Sequence, residues 1–300
     1  KSFNKKNVPN NTKLNNLRYN SNIIKKIFKN KKNYPFDGVS INSKTTKKNN
    51  LFIAIKGKKN DGHNFVKEAL KKGANYCIIS KSIKKNSRYI KVNNTMSFLN
   101  KLANNKRNES SSRYIAVTGS SGKTTVKTML GNLLKIFEKT YFSPKSYNNH
   151  YGVPLSVTNM NPDDNFGVFE VGMNKPNEIF RLSSIIKPNI GLITNVSEAH
   201  LENFKNIKGI AKAKSEIIYN VQKGGTIIIN KDDKFFNYFK KIAKINKIKI
   251  KSFGYSKNSD IKFLNLKKIR DHFLLKLSVN NKTFLLKIKN GNKNYIMNIL

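Results

Sequence analysis

Thr118-Gly-Ser-Ser-Gly-Lys-Thr-Thr125 stands between an apolar stretch, Tyr114-Ile-Ala-Val117, and a helical pattern that runs from Val126 to Phe137. Strand, glycine-bearing turn and helix, in that order, describe a phosphate-binding loop. Gly119 and Gly122 allow a tight turn in which successive N–H groups can face phosphate oxygens. The helix behind the turn offers its positive end to the same anion. Lys123 can reach the outer phosphates, and the Thr124 hydroxyl can bind Mg²⁺. The loop is a variant, because the usual G-x-x-x-x-G-K-[ST] spacing needs glycine at position 117, which is Val117.

Downstream of the loop, short apolar runs alternate with helical patterns. Phe166–Val171 and Ile190–Thr194 read as strands, with a helix at Asn177–Ile186 between them. Ile210–Tyr219 reads as a helix, and Thr226–Ile229 as a strand behind the turn Gly224-Gly225. Such alternation implies an α/β domain built on a doubly wound parallel sheet. Lys249–Phe253, Ile261–Leu266, Phe273–Val279 and Thr283–Ile288 alternate more like antiparallel strands.

Upstream, Leu51–Ile55 reads as a strand, followed by the turn-rich KGKKNDGHN, a short helix at Phe65–Lys72 ended by Gly73, and a strand at Tyr76–Ile79. The first 35 residues are rich in Lys and Asn, with a helical stretch at Asn22–Phe28. The polar run Asn104–Ser112 reads as a linker. It divides the chain into a small α/β domain at 1–108 and the loop-bearing domain at 109–300.

The 300 residues carry 59 Lys and Arg against 16 Asp and Glu, a formal charge of +43. That excludes an acidic solvating protein and leaves two explanations open. One is a nucleic-acid-binding face. The other is codon bias, since the excess is nearly all Lys and comes with abundant Asn and Ile and no Trp. Against the first, lysines are spread through every segment and most aromatic residues sit in apolar patterns. The single Cys77 excludes an internal disulfide and fits a reducing compartment, so a cytoplasmic location is expected. No apolar run approaches the roughly 18 residues of a membrane span, and KSFNKKNVPNN lacks a signal-peptide core. A chain that starts at Lys and stops in a helix-like NYIMNIL is expected to be a piece of a longer protein.

Three further positions have chemical character. Glu170 ends an apolar strand, where sheets of this class bind ligands, and could hold Mg²⁺ beside the phosphates; a surface carboxylate is the plain alternative. His200, in NVSEAHLENF, is either a ligand or a structural histidine. Lys214 is one lysine among many, and its surroundings in sequence do not separate it from a solvated helix face.

These blocks together resemble the Mur ligases. TGSSGKTT matches the family's ATP loop, and YNNHYGVPLSV (Tyr147–Val157) its Asn-Asn-x-x-Gly-x-Pro segment. FEVGMNKPNEI, KPNIGLITNVSEAHLENF and IAKAKSEI follow in the family's order. VSINSKTTKKNNLFIAIKGKKNDGHNFVKEALKKGA resembles the amino-terminal domain that holds a UDP-sugar precursor, which puts Ser43, Asp61, Gly62 and His63 on the substrate side.

The resemblance implies an ADP-forming amide ligase of peptidoglycan synthesis that uses ATP and Mg²⁺. The loop residues Thr118, Gly119, Ser120, Ser121, Gly122, Lys123, Thr124 and Thr125 would bind ATP, with Asn294 near the adenine. Thr124, Glu170, His200 and a carbamylated Lys214 would hold the metal ions. Lys123, His200 and Lys214 would be catalytic, and Asn148 and Asn149 would lie near an acyl phosphate. NKPNEI and AHLENF resemble most the branch that joins D-alanyl-D-alanine to a UDP-N-acetylmuramoyl-tripeptide. The branch that adds the third peptide residue is the nearest alternative, and a nucleic-acid-dependent ATPase the alternative of another class. DGHNF argues against a folylpolyglutamate synthase. A monomer without nucleic-acid or membrane partners is expected, lacking the family's third domain.

Departures from the family pattern are visible. Its Asp-Ser-Arg near the uridine site reads Asn42-Ser43-Lys44, which removes a carboxylate and a bidentate guanidinium. The His before Asn294 is Lys293, and a second family Asn falls on Met297, one place before Asn298.

Overall fold

In the computed structural model, which describes residues 10–84, 86–198, 203–204 and 206–300, the chain divides into two units. One comprises the residues up to Ser110 together with Pro154–Asp163; the other comprises Ser111–Val153 and Asp164–Leu300.

The first unit runs α1 (Asn10–Phe28), β1 (Val39–Ser40), β2 (Leu51–Ile53), α2 (Val66–Lys71), β3 (Tyr76–Ile79), β4 (Tyr89–Lys91) and α3 (Thr95–Glu109). The strands pair in the order β1-β2-β3-β4, all parallel. Side chains alternate across a strand, and the two apolar clusters follow that rule. Leu51, Ile53 and Ile78 pack with Ile23, Ile24, Phe98, Leu99 and Leu102 on one face. Phe52, Cys77 and Ile79 pack with Val66 and Ala69 on the other. A strand covered on both faces reads as an unbroken apolar run, which is how Leu51–Ile53 looks in the sequence.

The polar run expected to be a linker is helical as far as Glu109. Asn94 caps α3, its side chain accepting from Ser97 N at 2.8 Å. Phe98, Leu99, Leu102 and Ala103 then bury one face. The face continues through Lys106 and Arg107, both buried, and the Lys106 ammonium donates to the Thr158 carbonyl at 2.7 Å. Long aliphatic stems extend an apolar face that composition scores as polar. Likewise, the helical stretch at Asn22–Phe28 is the end of the longer α1.

The second unit runs β5 (Arg113–Thr118), α4 (Lys123–Phe137), β6 (Thr140–Phe142), α5 (Gly152–Asn159), β7 (Phe166–Glu170), α6 (Glu178–Ile186), β8 (Ile190–Ile193), α7 (Ile207–Ser215), β9 (Thr226–Asn230), α8 (Phe236–Ile245), β10 (Lys249–Gly254), β11 (Ile261–Ile269), β12 (His272–Val279), β13 (Lys282–Ile288) and α9 (Lys293–Ile299). Only the start of α5 belongs to it, since the helix passes into the first unit at Pro154. Its sheet has the order β13-β12-β11-β10-β9-β8-β5-β7-β6. β6 to β11 pair in parallel, and β11-β12-β13 form an antiparallel ribbon. Lys249–Phe253, expected to be antiparallel, instead continues the parallel sheet beside β9. The helix α8 between β9 and β10 supplies the crossover that parallel pairing needs.

β5 lies between β7 and β8, so the chain winds first to one side of it and then to the other. Ligands of open α/β sheets sit at the carboxyl ends of the strands flanking such a reversal. The register places three chain segments there: Val117 pairs with Glu170, and Thr118 with Ile193. Tyr114 and Phe169 stack in the strands below, with ring centroids 5.2 Å apart, and hold β5 and β7 in that register.

Candidate active site

The turn after β5 depends on both of its glycines. Gly119 has φ +152°, and a Cβ there would come 1.8 Å from Thr194 Oγ1. Gly122 has φ +79°, and its Cβ would come 2.4 Å from Asn298 Oδ1. The end of β8 pins the turn. Thr194 N donates to Thr118 O at 2.9 Å, and Thr194 Oγ1 donates to Ser121 O at 2.6 Å. Ser120 N and Ser121 N donate to the carbonyl and side-chain oxygen of Asn195 at 3.0 and 3.1 Å. These two amides therefore face Asn195, and the donors available to an anion are the first-turn N–H groups of α4, which have no intrahelical acceptor. The Thr118 hydroxyl is buried at the root of the loop without a hydrogen-bond partner among the described residues.

Lys123 opens α4 and folds back over the turn, its ammonium donating to Gly119 O at 2.9 Å and Ser120 O at 3.2 Å. Burial holds its pKa below the ordinary lysine value, with the charge of Glu170 working in the opposite direction. Glu170, at the end of β7, is 1% exposed. Its Oε2 accepts from the Thr124 hydroxyl and its Oε1 from the Asn148 amide, both at 2.7 Å. Asn149 Oδ1 accepts from Tyr151 N and Gly152 N at 3.1 and 2.9 Å and so turns the chain into α5.

Lys127, one helical turn beyond Lys123, is fully buried. Its ammonium donates to Ser143 O at 2.7 Å and Lys145 O at 2.5 Å, which ties the segment before Asn148 to α4. Burial lowers its pKa as well, against the pull of Glu170. The donor set around Glu170 suits Mg²⁺. Carboxylate and hydroxyl oxygens are the hard ligands that ion takes. Among the described residues the buried carboxylate is hydrogen-bonded by neutral groups, and Lys123 and Lys127, which feel its charge, direct their ammonium groups at carbonyls, so its oxygens have no direct cationic partner and can take a metal ion.

Two cavities flank the loop. One, of about 460 Å³, is lined by Gly119, Lys123, Asn148, Asn149, Glu178 and Lys214, among others. Lys214 is 2% exposed, and its pKa is pushed down to about 7 by burial, helped by the charge of Lys123 and opposed by that of Asp233. The other cavity, of about 650 Å³, is lined by Ser121, Gly122, Thr125, Asp232, Tyr255 and Asn294, among others. Asn294 thus stands on the Gly122 side of the loop, carried there by α9. Lys293, where the family pattern has His, lies over the Tyr255 ring at 5.5 Å from its centroid. His200 lies outside the described residues.

The remaining assigned residues belong to the first unit. Ser43 is buried and donates through Oγ to Glu68 Oε2 at 2.9 Å. Asp61 Oδ1 accepts from His63 N at 3.0 Å and meets His63 Nδ1 at 2.6 Å, while Oδ2 pairs with the Lys81 ammonium. Lys81 first, and then the His63 contacts, hold the Asp61 carboxyl well below the usual range. His63 Nε2 accepts from Ser80 N at 2.9 Å, so the ring proton sits on Nδ1 and points at Asp61. Gly62 is packed so closely that a Cβ would come 2.7 Å from Ile55 N. Both His63 nitrogens are therefore engaged within the unit.

Lys127, Thr194 and Asn195 are site residues that the sequence does not single out. Lys127 carries one signal, its spacing of four from Lys123 on a helix. Thr194 and Asn195 follow a strand end, which is where this fold places ligand contacts.

The chain is similar to known proteins over both units. The family model described as Mur ligase middle domain matches residues 117–300. The one described as Mur ligase family, catalytic domain, matches residues 35–107. The UDP-N-acetylmuramoyl-tripeptide–D-alanyl-D-alanine ligase of Rickettsia prowazekii is 39% identical over 246 residues, covering 81% of this chain and 55% of that protein. Among solved structures, MurF from Acinetobacter baumannii superposes with a TM-score of 0.82 at 26% identity, over 93% of this chain and 62% of that one. The MurF ligase of Thermotoga maritima in complex with ADP superposes with a TM-score of 0.76 at 30% identity, over 87% of this chain and 60% of that one. The chain spans about half the length of the curated relatives it matches. Among the described residues no helix is long and apolar enough to cross a membrane.

Proposed function

The chain belongs to the Mur ligase family, and on that premise we propose that its full-length form is the ATP-dependent ligase that joins D-alanyl-D-alanine to a UDP-N-acetylmuramoyl-tripeptide. The observation that carries this reading is the convergence of Lys123, Thr124 and Asn148 around the buried Glu170, at the C-terminal edge of the sheet. The names of the relatives direct it to the tripeptide and the dipeptide.

The reaction has two steps. A carboxylate of the tripeptide attacks the γ-phosphorus of ATP, forming a C–O–P bond and releasing ADP. The amine of D-alanyl-D-alanine then attacks the carbonyl of that acyl phosphate, forming the amide and releasing phosphate and a proton. The difficulty lies in bringing one anion onto another. Lys123 and the first-turn N–H groups of α4 supply fixed positive charge where negative charge develops. Glu170 and Thr124 would hold one Mg²⁺, and His200 and Lys214 another. Mg²⁺, when bound, shields the phosphate from the attacking carboxylate. Asn148 holds Glu170 in place from the substrate-facing side.

Lys214 would serve as a carbamate. A neutral amine attacks carbon dioxide and loses a proton, which converts a cation into an oxygen-bearing anion. A pKa pushed down to about 7 leaves a large neutral fraction at physiological pH. On this reading the first unit binds the UDP-linked precursor through the segments around Ser43 and Asp61–His63, and Asn294 meets the adenine. ATP and the UDP precursor place the reaction in the cytoplasm.

Full-length protein incubated with ATP, the UDP-tripeptide and a panel of amines tests the reading. ADP release is expected with D-alanyl-D-alanine alone. Release with a diamino acid on a UDP-dipeptide, in place of this pair, would overturn it.

A further inference from the structure

Glu178, Arg181 and Leu182 of α6 stand at positions i, i+3 and i+4, and all three line the cavity that holds Lys123 and Lys214. That spacing puts them on one face of the helix. Glu178 is occupied, its Oε2 accepting from Asn174 N and Lys175 N at 2.6 and 3.3 Å. Leu182 is buried. Arg181 differs from both. It is exposed, and among the described residues its guanidinium makes no hydrogen bond or ion pair.

The backbone under Arg181 is held firmly. Asn177, which precedes α6, has φ +67° and gives the helix no side-chain cap. Glu216 caps it from outside, accepting from Asn177 N at 2.7 Å and Phe180 N at 3.0 Å. Asn220 adds a bond to Phe180 O at 2.8 Å. Glu216 is two residues from Lys214, so the turn carrying Arg181 and the segment carrying Lys214 share one frame. A free cation on a fixed helix face, next to the phosphate-transfer residues, is built to receive an anion. Its planar fork of donors matches a carboxylate in two parallel hydrogen bonds.

We propose that Arg181 is a specificity-determining residue that binds a non-reacting carboxylate of the peptide substrate. The proposal rests on the ligase reading above, since it takes the acidic peptide as the occupant of this cavity. Lys123 is committed to the loop and the transferred phosphate, which leaves Arg181 to orient the acyl chain so that its other carboxylate faces the nucleotide.

The test compares full-length wild type with R181Q and R181K, using the UDP-tripeptide and the same compound with its non-reacting carboxylate amidated. R181Q is expected to raise KM for the UDP-tripeptide by about 10- to 100-fold, the range of a charge-assisted hydrogen bond. KM for ATP and for D-alanyl-D-alanine should stay within about two-fold. Amidation should impose the same loss on wild type and none on R181Q, while R181K recovers part of the affinity. An unchanged peptide KM in R181Q, an equal amidation penalty in both proteins, or a rise confined to KM for ATP would each overturn the proposal. Equilibrium binding of the two peptides to wild type and R181Q separates this result from the ligase reading: if D-alanyl-D-alanine proves not to be the amine, the binding difference still decides the role of Arg181.

Discussion

The Thr124 hydroxyl donates to Oε2 of Glu170 across 2.7 Å, so the first turn of α4 and the end of β7 meet on one carboxylate. In sequence these residues are 46 positions apart. Parallel pairing of β5 with β7, in the register Val117 to Glu170, makes them neighbours. On the proposed reading the charge on Glu170 holds Mg²⁺; Glu170→Gln removes that charge and keeps an acceptor for only one of the two donors, Thr124 and Asn148, that the carboxylate now serves. Glu170→Gln in the full-length enzyme is expected to lower kcat by at least about 100-fold and to lower the melting temperature, because Lys123 and Lys127 lose the negative charge that offsets their burial. ADP release and a thermal melt on the same preparation check this. Retained activity, or an unchanged melting point, would contradict it.

Two glycines with positive φ separate close approach from backbone strain. A Cβ on Gly119 would collide with Thr194 Oγ1, whereas Gly224, at φ +79°, has nothing within 4 Å of its Cβ. Gly224→Ala is expected to cost about 1 kcal/mol, from backbone conformation alone. Gly119→Ala should cost at least about 2 kcal/mol more and abolish nucleotide binding, since the loop must move off β8. Denaturant unfolding and nucleotide titration of both variants measure the difference.

Lys127 is the cation that binds the Asn148 segment to α4 through two carbonyls. Lys127→Met keeps much of the buried stem but leaves Ser143 O and Lys145 O without their donor. A loss of about 2–3 kcal/mol is expected in denaturant unfolding, with a fall in kcat as Asn148 loses its place beside Glu170. If Lys127→Met matched wild type in both measurements, the positioning role would be wrong.

In bicarbonate-free buffer, where it stays a free amine, Lys214 gives a pH signature. Its folded-state pKa of about 7 lies below the unfolded value of 10.5, so the folded protein prefers the neutral amine. The burial cost is present in full below pH 7 and is relieved as pH rises through the interval between the two values. Lys214→Met is therefore expected to flatten the rise in stability across that interval, and to gain most over wild type on the acid side. Removing bicarbonate should lower wild-type ADP release and leave Lys214→Arg unaffected.

The phosphate loop was legible because glycines, lysine and threonine sit between an apolar strand and a helix, and each residue has a local reason to be there. The parallel sheet was legible from the same alternation. The end of α3 was not, because Lys106 and Arg107 bury their stems while counting as polar. The direction of β10 was not, since pairing is set by the α8 crossover and leaves no mark on the strand itself. Within the site, Lys123 had a motif to announce it, whereas Lys127 and Arg181 look like any of the 59 basic residues until burial, or the lack of a partner among the described residues, sets them apart. The charge of +43 hid them and pointed toward nucleic acid instead.

Transfer of an oxygen atom tests the central claim most directly. Full-length enzyme is given ATP, D-alanyl-D-alanine and a UDP-tripeptide whose reacting carboxylate carries heavy oxygen, and the released phosphate is examined by mass spectrometry. An acyl phosphate formed at the Lys123–Glu170 site predicts one heavy oxygen in each phosphate released, in step with ADP. ADP release that leaves the phosphate unlabelled would contradict the account.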